Sequence, residues 1–214
     1  MEYIRNKNGW PILMAMVRAI QENKTYLGEI DGLIGDGDHG ANMNKGFSLF
    51  ASGLHEDEIS FSDGLNELGM VLLNEIGGSM GPIYGTIFME MGEQAEALDK
   101  ITLNDFRNML EAGLDGLKEI VEAQPGDKTL IDTLSPAVCS LRDSAGKQTS
   151  FGEALELMEL AAEEGKDATK DMTARFGRSS RLGERSRGVL DAGAVSCFII
   201  LQAMAEAMMR LLES

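Results

Sequence analysis

An all-α fold is what this 214-residue sequence predicts, and three observations predict it. Apolar residues recur at intervals of three and four, the spacing that lines one face of a helix, and no segment alternates apolar with polar residues for long. Valine, which favours strands, occurs only six times. Helix punctuation recurs along the chain, with proline or a capping residue ahead of apolar runs. Pro11 suits a helix's first turn and opens a helix over residues 12–27, with Ile12, Met16, Ala19, Ile20 and Leu27 near one side. Further helices are expected after Gly40, after Ser62, near Pro82, after Thr102, near Lys128, after Ser150 and after Asp191, about eight in all. Ser150 and Glu153 have the S-x-x-E spacing of a capping box, in which each side chain satisfies an orphan backbone donor.

No linker rich in proline or serine and no internal repeat interrupts this pattern, so residues 1–214 read as one domain. Among 14 methionines, Met14, Met16, Met70, Met204 and Met208 fall at apolar helix positions and are read as core filling. Acidic residues number 35 against 19 basic ones, a net charge of -16, which argues against a nucleic-acid partner because phosphate contacts need a basic footprint. Two cysteines, Cys139 and Cys197, imply no disulfide framework and suit a reducing cytoplasm. The longest apolar or small run, residues 192–201, is short of the roughly 20 a membrane span requires, and the N-terminus lacks a signal peptide's apolar segment. A cytoplasmic protein without a membrane partner is expected.

Glycines concentrate at residues 32–40, 77–85 and 177–193. The first stretch contains Asp31, Asp36 and Asp38, three carboxylates within eight residues. Its G-x-G-x-x-G spacing is not a dinucleotide fingerprint, since no strand precedes it and carboxylates fill the variable positions. An EF-hand fails as well, for Gly40 stands where an oxygen ligand is needed. Two carboxylates about 4 Å apart repel by roughly 4 kcal/mol at an effective dielectric near 20, which raises a pKa or draws in a cation. A hard divalent cation such as Mg²⁺ would relieve that repulsion and let an acidic protein hold an anionic nucleotide. A simple Asp- and Gly-rich turn is the other reading. His39 either contacts phosphate or caps the following helix; His55 reads as surface.

Gly77-Gly78-Ser79-Met80-Gly81-Pro82 ends with proline at a helix start. It is either a helix N-terminus open to an anion or a tight turn capped by Ser79. Residues 175–187 hold five of the ten arginines and a single acid, Glu184. Contact with phosphate and docking of an acidic partner both account for such a patch. The interspersed Gly177, Gly183 and Gly188 argue for a loop there. Asp191-Ala192-Gly193 then opens the last helix.

These motifs, with Asp127-Lys128-Thr129-Leu130-Ile131-Asp132-Thr133-Leu134, resemble the nucleotide-binding L subunit of dihydroxyacetone kinases over nearly the whole chain. The resemblance implies an antiparallel eight-helix barrel with a nucleotide site at one end, binding ADP or ATP through two Mg²⁺ ions. It puts the metal on Asp31, Asp36 and Asp38. It puts nucleotide contacts on His39, Gly40, Ala41 and Asn42, on Ser79 and Met80, on Thr129 and Leu130, on Arg178, and on Asp191, Ala192 and Gly193. It assigns no catalytic general base to this chain, because phosphoryl transfer asks mainly for positioning and charge neutralisation. The implied activity is delivery of a γ-phosphoryl group to a short hydroxyketone, dihydroxyacetone or an erythrulose-like ketose, held covalently on a separate substrate-binding K subunit. The implied phosphoryl donor is either free ATP or a phosphotransferase-system protein. The alternative is a nucleotide-dependent regulatory module that signals to another protein such as a transcription regulator. Three positions depart from the family pattern: Met80 replaces a usual Ser, Val189 a usual His and Ala192 a usual Pro.

Overall fold

The computed structural model describes residues 2–54 and 59–213, so the surface reading of His55 lies outside the described residues. Nine α-helices carry the fold among them: α1 Trp10–Glu22, α2 Lys24–Ile34, α3 His39–Gly53, α4 Phe61–Glu75, α5 Met80–Ala95, α6 Leu103–Ile120, α7 Ile131–Gly146, α8 Phe151–Ala168 and α9 Ala192–Leu211. The all-α expectation holds. One small exception is an antiparallel ribbon of three-residue strands, β1 Tyr3–Arg5 and β2 Lys100–Thr102, with Ile4 opposite Ile101.

The first expected helix is two. Asn23 leaves the helical region (φ −96°, ψ 7°), and its side-chain amide donates back to Ala19 O at 2.8 Å, so the chain bends before α2 begins. Ile12, Met16, Ile20 and Leu27 are nevertheless all fully buried. The fourth helix starts before Ser62, with Ser60 as its cap: Ser60 Oγ accepts from Asp63 N–H at 3.0 Å. At α8 the box expected from Ser150 and Glu153 is half formed. Ser150 Oγ accepts from Glu153 N–H without a return bond from the Glu153 side chain, and the Glu2 carboxylate accepts from the next two donors of the turn, Phe151 and Gly152 N–H. The complete capping box is at Thr102 and Asp105, ahead of α6. Residues 175–187 form an irregular loop with 3₁₀ turns broken at Gly183.

α1 and α2 follow one another along a single bent path, the helices after α2 alternate in direction and pack on their sequence neighbours, and α9 returns to pack on α1, closing the set into a ring. Apolar side chains from every helix fill the interior. Phe47, Phe88 and Tyr84 form an aromatic stack there, with Phe88 edge-on to Phe47 and parallel to Tyr84. Met16, Met204 and Met208 belong to this core, whereas Met70 is 53 % exposed and does not. α9 is long and apolar enough by composition to cross a membrane, but 72 % of its apolar window is buried inside the ring. The antiparallel order places the N-termini of α3, α5, α7 and α9 at one end of the ring, and it is there that the glycine-rich segments meet.

Candidate functional site

A cavity of ≈ 370 Å³ opens at that end. Four helix starts contribute to its walls: His39 of α3, Met80 of α5, Ile131 of α7 and Ala192 of α9 line it. The first turn of an α-helix has backbone N–H groups without intrahelical acceptors and carries the positive end of the helix dipole. Four such ends facing one cavity make it a receptor for anions.

The acidic loop leads directly into the start of α3. Asp31, on the last turn of α2, and Asp36 and Asp38, in the turn to α3, each offer a carboxylate oxygen, and these oxygens all lie within 4.8 Å of one another. The glycines of this turn make the approach possible. A Cβ on Gly35 would stand 2.3 Å from Asp31 Oδ1, and one on Gly40 would stand 2.0 Å from Lys24 O, so any larger residue would push the Asp31 carboxylate aside or force α3 from α2. The donor set is all oxygen and all anionic, which fits a hard divalent cation and offers nothing to a soft one. The guanidinium of Arg178, reaching in from the arginine-rich loop, pairs with Asp36.

Of the fifteen residues singled out in the sequence, twelve line this cavity: the three aspartates, His39, Ser79, Met80, Thr129, Leu130, Arg178, Asp191, Ala192 and Gly193. Gly40, Ala41 and Asn42 do not; they follow in the first turn of α3, where Gly40 faces α2 and Asn42 N–H is engaged by Asp38 O. Ser79 makes no side-chain cap, which leaves its hydroxyl free at the cavity edge.

His39 is buried, with Nε2 2.8 Å from Ser196 Oγ and its backbone N–H donating to Asp31 Oδ2. Ser196 Oγ lies in turn 2.6 Å from the Tyr84 hydroxyl. Burial lowers the imidazole pKa to about 4 against the opposing pull of Asp31, so the ring is neutral at physiological pH. Burial raises Tyr84 well above its ordinary value. Desolvation likewise pushes the Asp191 carboxyl up to about 6, opposed by the Ala194 N–H that it accepts as helix cap and by nearby Lys128.

The Tyr84–Ser196–His39 chain and Lys128 lie outside the sequence reading. Lys128 lines the cavity while being only 1 % exposed. Tyr84 and Ser196 look like ordinary members of helical faces, and their pairing across α5 and α9 has no local signature. Lys128 sits inside a motif already singled out, yet nothing in the pattern marks it as buried.

Residues 33–206 match the family model described as the DAK2 domain. The chain is 41 % identical over 183 residues to the ADP-binding subunit DhaL of the PEP-dependent dihydroxyacetone kinase of Escherichia coli, covering 84 % of this chain and 86 % of that protein. It is 38 % identical to the ADP-binding subunit DhaL of the PTS-dependent dihydroxyacetone kinase of Lactococcus lactis, covering 87 % and 90 %. Among solved structures, the native dihydroxyacetone kinase of C. freundii superposes with a TM-score of 0.70 at 25 % identity over 91 % of this chain. A second structure of that kinase, in complex with AMP-PNP and Mg²⁺, gives the same TM-score at 24 % identity. The present chain spans 33 % of the C. freundii kinase, about a third of its length.

Proposed function

Because this chain belongs to the DAK2-domain family, that of the DhaL subunits, we propose that it is the nucleotide-binding, phosphoryl-transferring subunit of a dihydroxyacetone-type kinase. The observation that carries the reading is the trio of carboxylates within 4.8 Å at the mouth of a cavity ringed by four helix N-termini. A polyphosphate alone would be repelled by the aspartates, and a cation alone would have no use for the helix ends. A magnesium–nucleotide complex satisfies both. When bound, Mg²⁺ would supply charge neutralisation to the phosphate oxygens, with the carboxylate oxygens of Asp31, Asp36 and Asp38 as its holders.

In this reading Asp31, Asp36 and Asp38 hold the metal. The free N–H groups at the starts of α5 and α9, with Ser79, receive the phosphates, and the positive dipole ends of α3 and α7, whose N–H groups at His39 and Ile131 already have acceptors, add to them. Thr129, Leu130 and residues 191–193 flank the nucleoside, on the more apolar wall that includes Leu117 and Val121. Arg178 offers a guanidinium to the phosphoryl group that moves. No residue of the cavity is needed as a general base, since neutral His39 already spends one ring nitrogen on Ser196. The acceptor hydroxyketone is held on a separate K subunit, and the names of the relatives favour a phosphotransferase-system protein, rather than free ATP, as the source of the phosphoryl group. Two unpaired cysteines are in keeping with a cytoplasmic setting.

Calorimetric titration of the purified chain tests this directly. ADP is expected to bind with Mg²⁺ and to lose about a hundredfold or more in affinity without it, as it does in Asp36→Ala. Equal heats with and without Mg²⁺ would remove the assignment. A regulatory role is supported by one observation: Arg181 and Arg185 are exposed and make no ion pair among the described residues, leaving cations for a partner surface. Charge reversal at Arg181 separates the roles, because a purely regulatory subunit would lose its partner with nucleotide affinity unchanged and would never support ketose phosphorylation.

A further inference from the structure

Lys128 is among the largest fully buried side chains of the molecule, and its backbone sits at φ 63°, a left-handed conformation that lysine rarely adopts. Burial of an ammonium and strain at its own backbone are both unfavourable, so the contacts they make possible must offset them. Those contacts are specific. Nζ donates to Thr169 O at 2.6 Å and to Val189 O at 2.5 Å. The two carbonyls stand at either end of the arginine-rich loop, and the same neck is closed by Gly188 N–H donating to Lys170 O at 2.8 Å and Asp191 N–H donating to Thr169 Oγ1 at 3.1 Å. The preceding residue grips the descending arm. Asp127 O accepts from Arg175 N–H at 3.1 Å, and the Asp127 carboxylate pairs with the Arg175 guanidinium at 3.3 Å. Three residues beyond Arg175, Arg178 reaches Asp36 across the cavity.

We propose that Asp127 and Lys128 are positioning residues, which fasten the arginine-rich loop by its neck so that Arg178 meets the phosphates of a bound nucleotide beside the acidic loop. The proposal rests on the reading of the cavity as a magnesium–nucleotide site. Its physical content is coupling: the two residues matter to the nucleotide through Arg178 and not through contacts of their own. A loop whose two ends are tied has fewer conformations in which Arg178 points elsewhere, so less entropy is lost when it engages an anion.

A double-mutant cycle on the full chain, read by calorimetry with Mg²⁺ and ADP, tests that coupling. Arg178→Ala is expected to weaken ADP by about ten- to a hundredfold. Lys128→Met should give a loss of the same order, and the double variant should bind no worse than Arg178→Ala alone. Losses that multiply would mean that Lys128 touches the nucleotide itself or supports the site by another route, and would overturn the proposal. If Lys128→Met does not fold, Arg175→Ala carries the same prediction from the exposed side of the neck: a smaller loss that disappears in the Arg178→Ala background, with multiplication again decisive against it. Trypsin should also cut at the arginines of residues 175–187 faster in Lys128→Met than in the native chain, and unchanged cutting would count against a clasp. Failure of the native chain to bind ADP with Mg²⁺ would remove the reading of the site and this proposal together, whereas binding with multiplicative losses would remove the proposal alone.

Discussion

His39 and Asp191 face the same cavity and respond to pH in opposite directions. The imidazole falls from 6.5 to about 4 on folding, so below pH 6.5 the unfolded chain takes up a proton that the native one refuses; its contribution to stability is lost as pH drops toward 4. The Asp191 carboxyl rises from 3.8 to about 6, so the native chain keeps a proton that the unfolded one has released; its contribution is present below 3.8 and lost as pH climbs through 6. Each effect is on the order of 3 kcal/mol, and between about pH 4 and 6 they offset one another. Relative to the native protein, Asp191→Asn should therefore gain stability with rising pH across that window, and His39→Asn should lose it. Urea midpoints measured at several pH values check this, and parallel slopes in the two variants would contradict the assigned shifts. At this scale the sequence was legible for the aspartates, because three carboxylates so close together need a counter-charge wherever the backbone puts them. Lys128 was not legible, since burial of a lysine depends on two carbonyls 41 and 61 residues away in sequence.

Helix starts were readable where a side chain closes the first turn, as at Thr102, Ser150 and Asp191, since the capping oxygen is chosen for local reasons. The bend at Asn23 was not, because asparagine is only mildly unfavourable in a helix; beyond the bend, α2 packs on α3. That packing is unusually close. An added Cβ at Gly40 would meet the backbone of Lys24 and Gly28, which cannot yield without separating the helices, while one at Gly46 would meet only the tips of Leu72 and Ile76. Gly40→Ala should accordingly cost about 3 kcal/mol or more, and Gly46→Ala less than about 1–2, part of its crowding being offset by better helix propensity. Denaturation midpoints of the two variants decide it; equal losses would mean that the contact between α2 and α3 is softer than its geometry implies. Because α2 ends in Asp31 and α3 starts at His39, Gly40→Ala should also weaken ADP binding, whereas Gly46→Ala should not.

The ring as a whole gathers its functional groups from segments some 160 residues apart, from Asp31 to Gly193, so occupation of the cavity ties distant parts of the chain together. A ligand that binds the folded state alone stabilises it by about 2.7 kcal/mol at a concentration a hundred times its dissociation constant, which for a chain of this size raises Tm by roughly 5–10 °C. ADP with Mg²⁺ should produce that shift, ADP without Mg²⁺ should produce almost none, and differential scanning fluorimetry separates the two. The closed barrel was implied by the family resemblance and not by the helical pattern alone, and the convergence of four positive helix ends on a single opening is a property of the assembled order.

The opposite end of the molecule bears on how it can be handled in the laboratory. Tyr3 and Glu213 exchange backbone hydrogen bonds at 3.0 and 2.9 Å beside the β1–β2 ribbon, and α9 separates that seam from the cavity by its whole length, roughly 30 Å. A surface anchor, a dye or a fused reporter attached through either seam residue would thus hang on the side remote from incoming molecules, leaving the mouth unobstructed for immobilised or single-molecule assays.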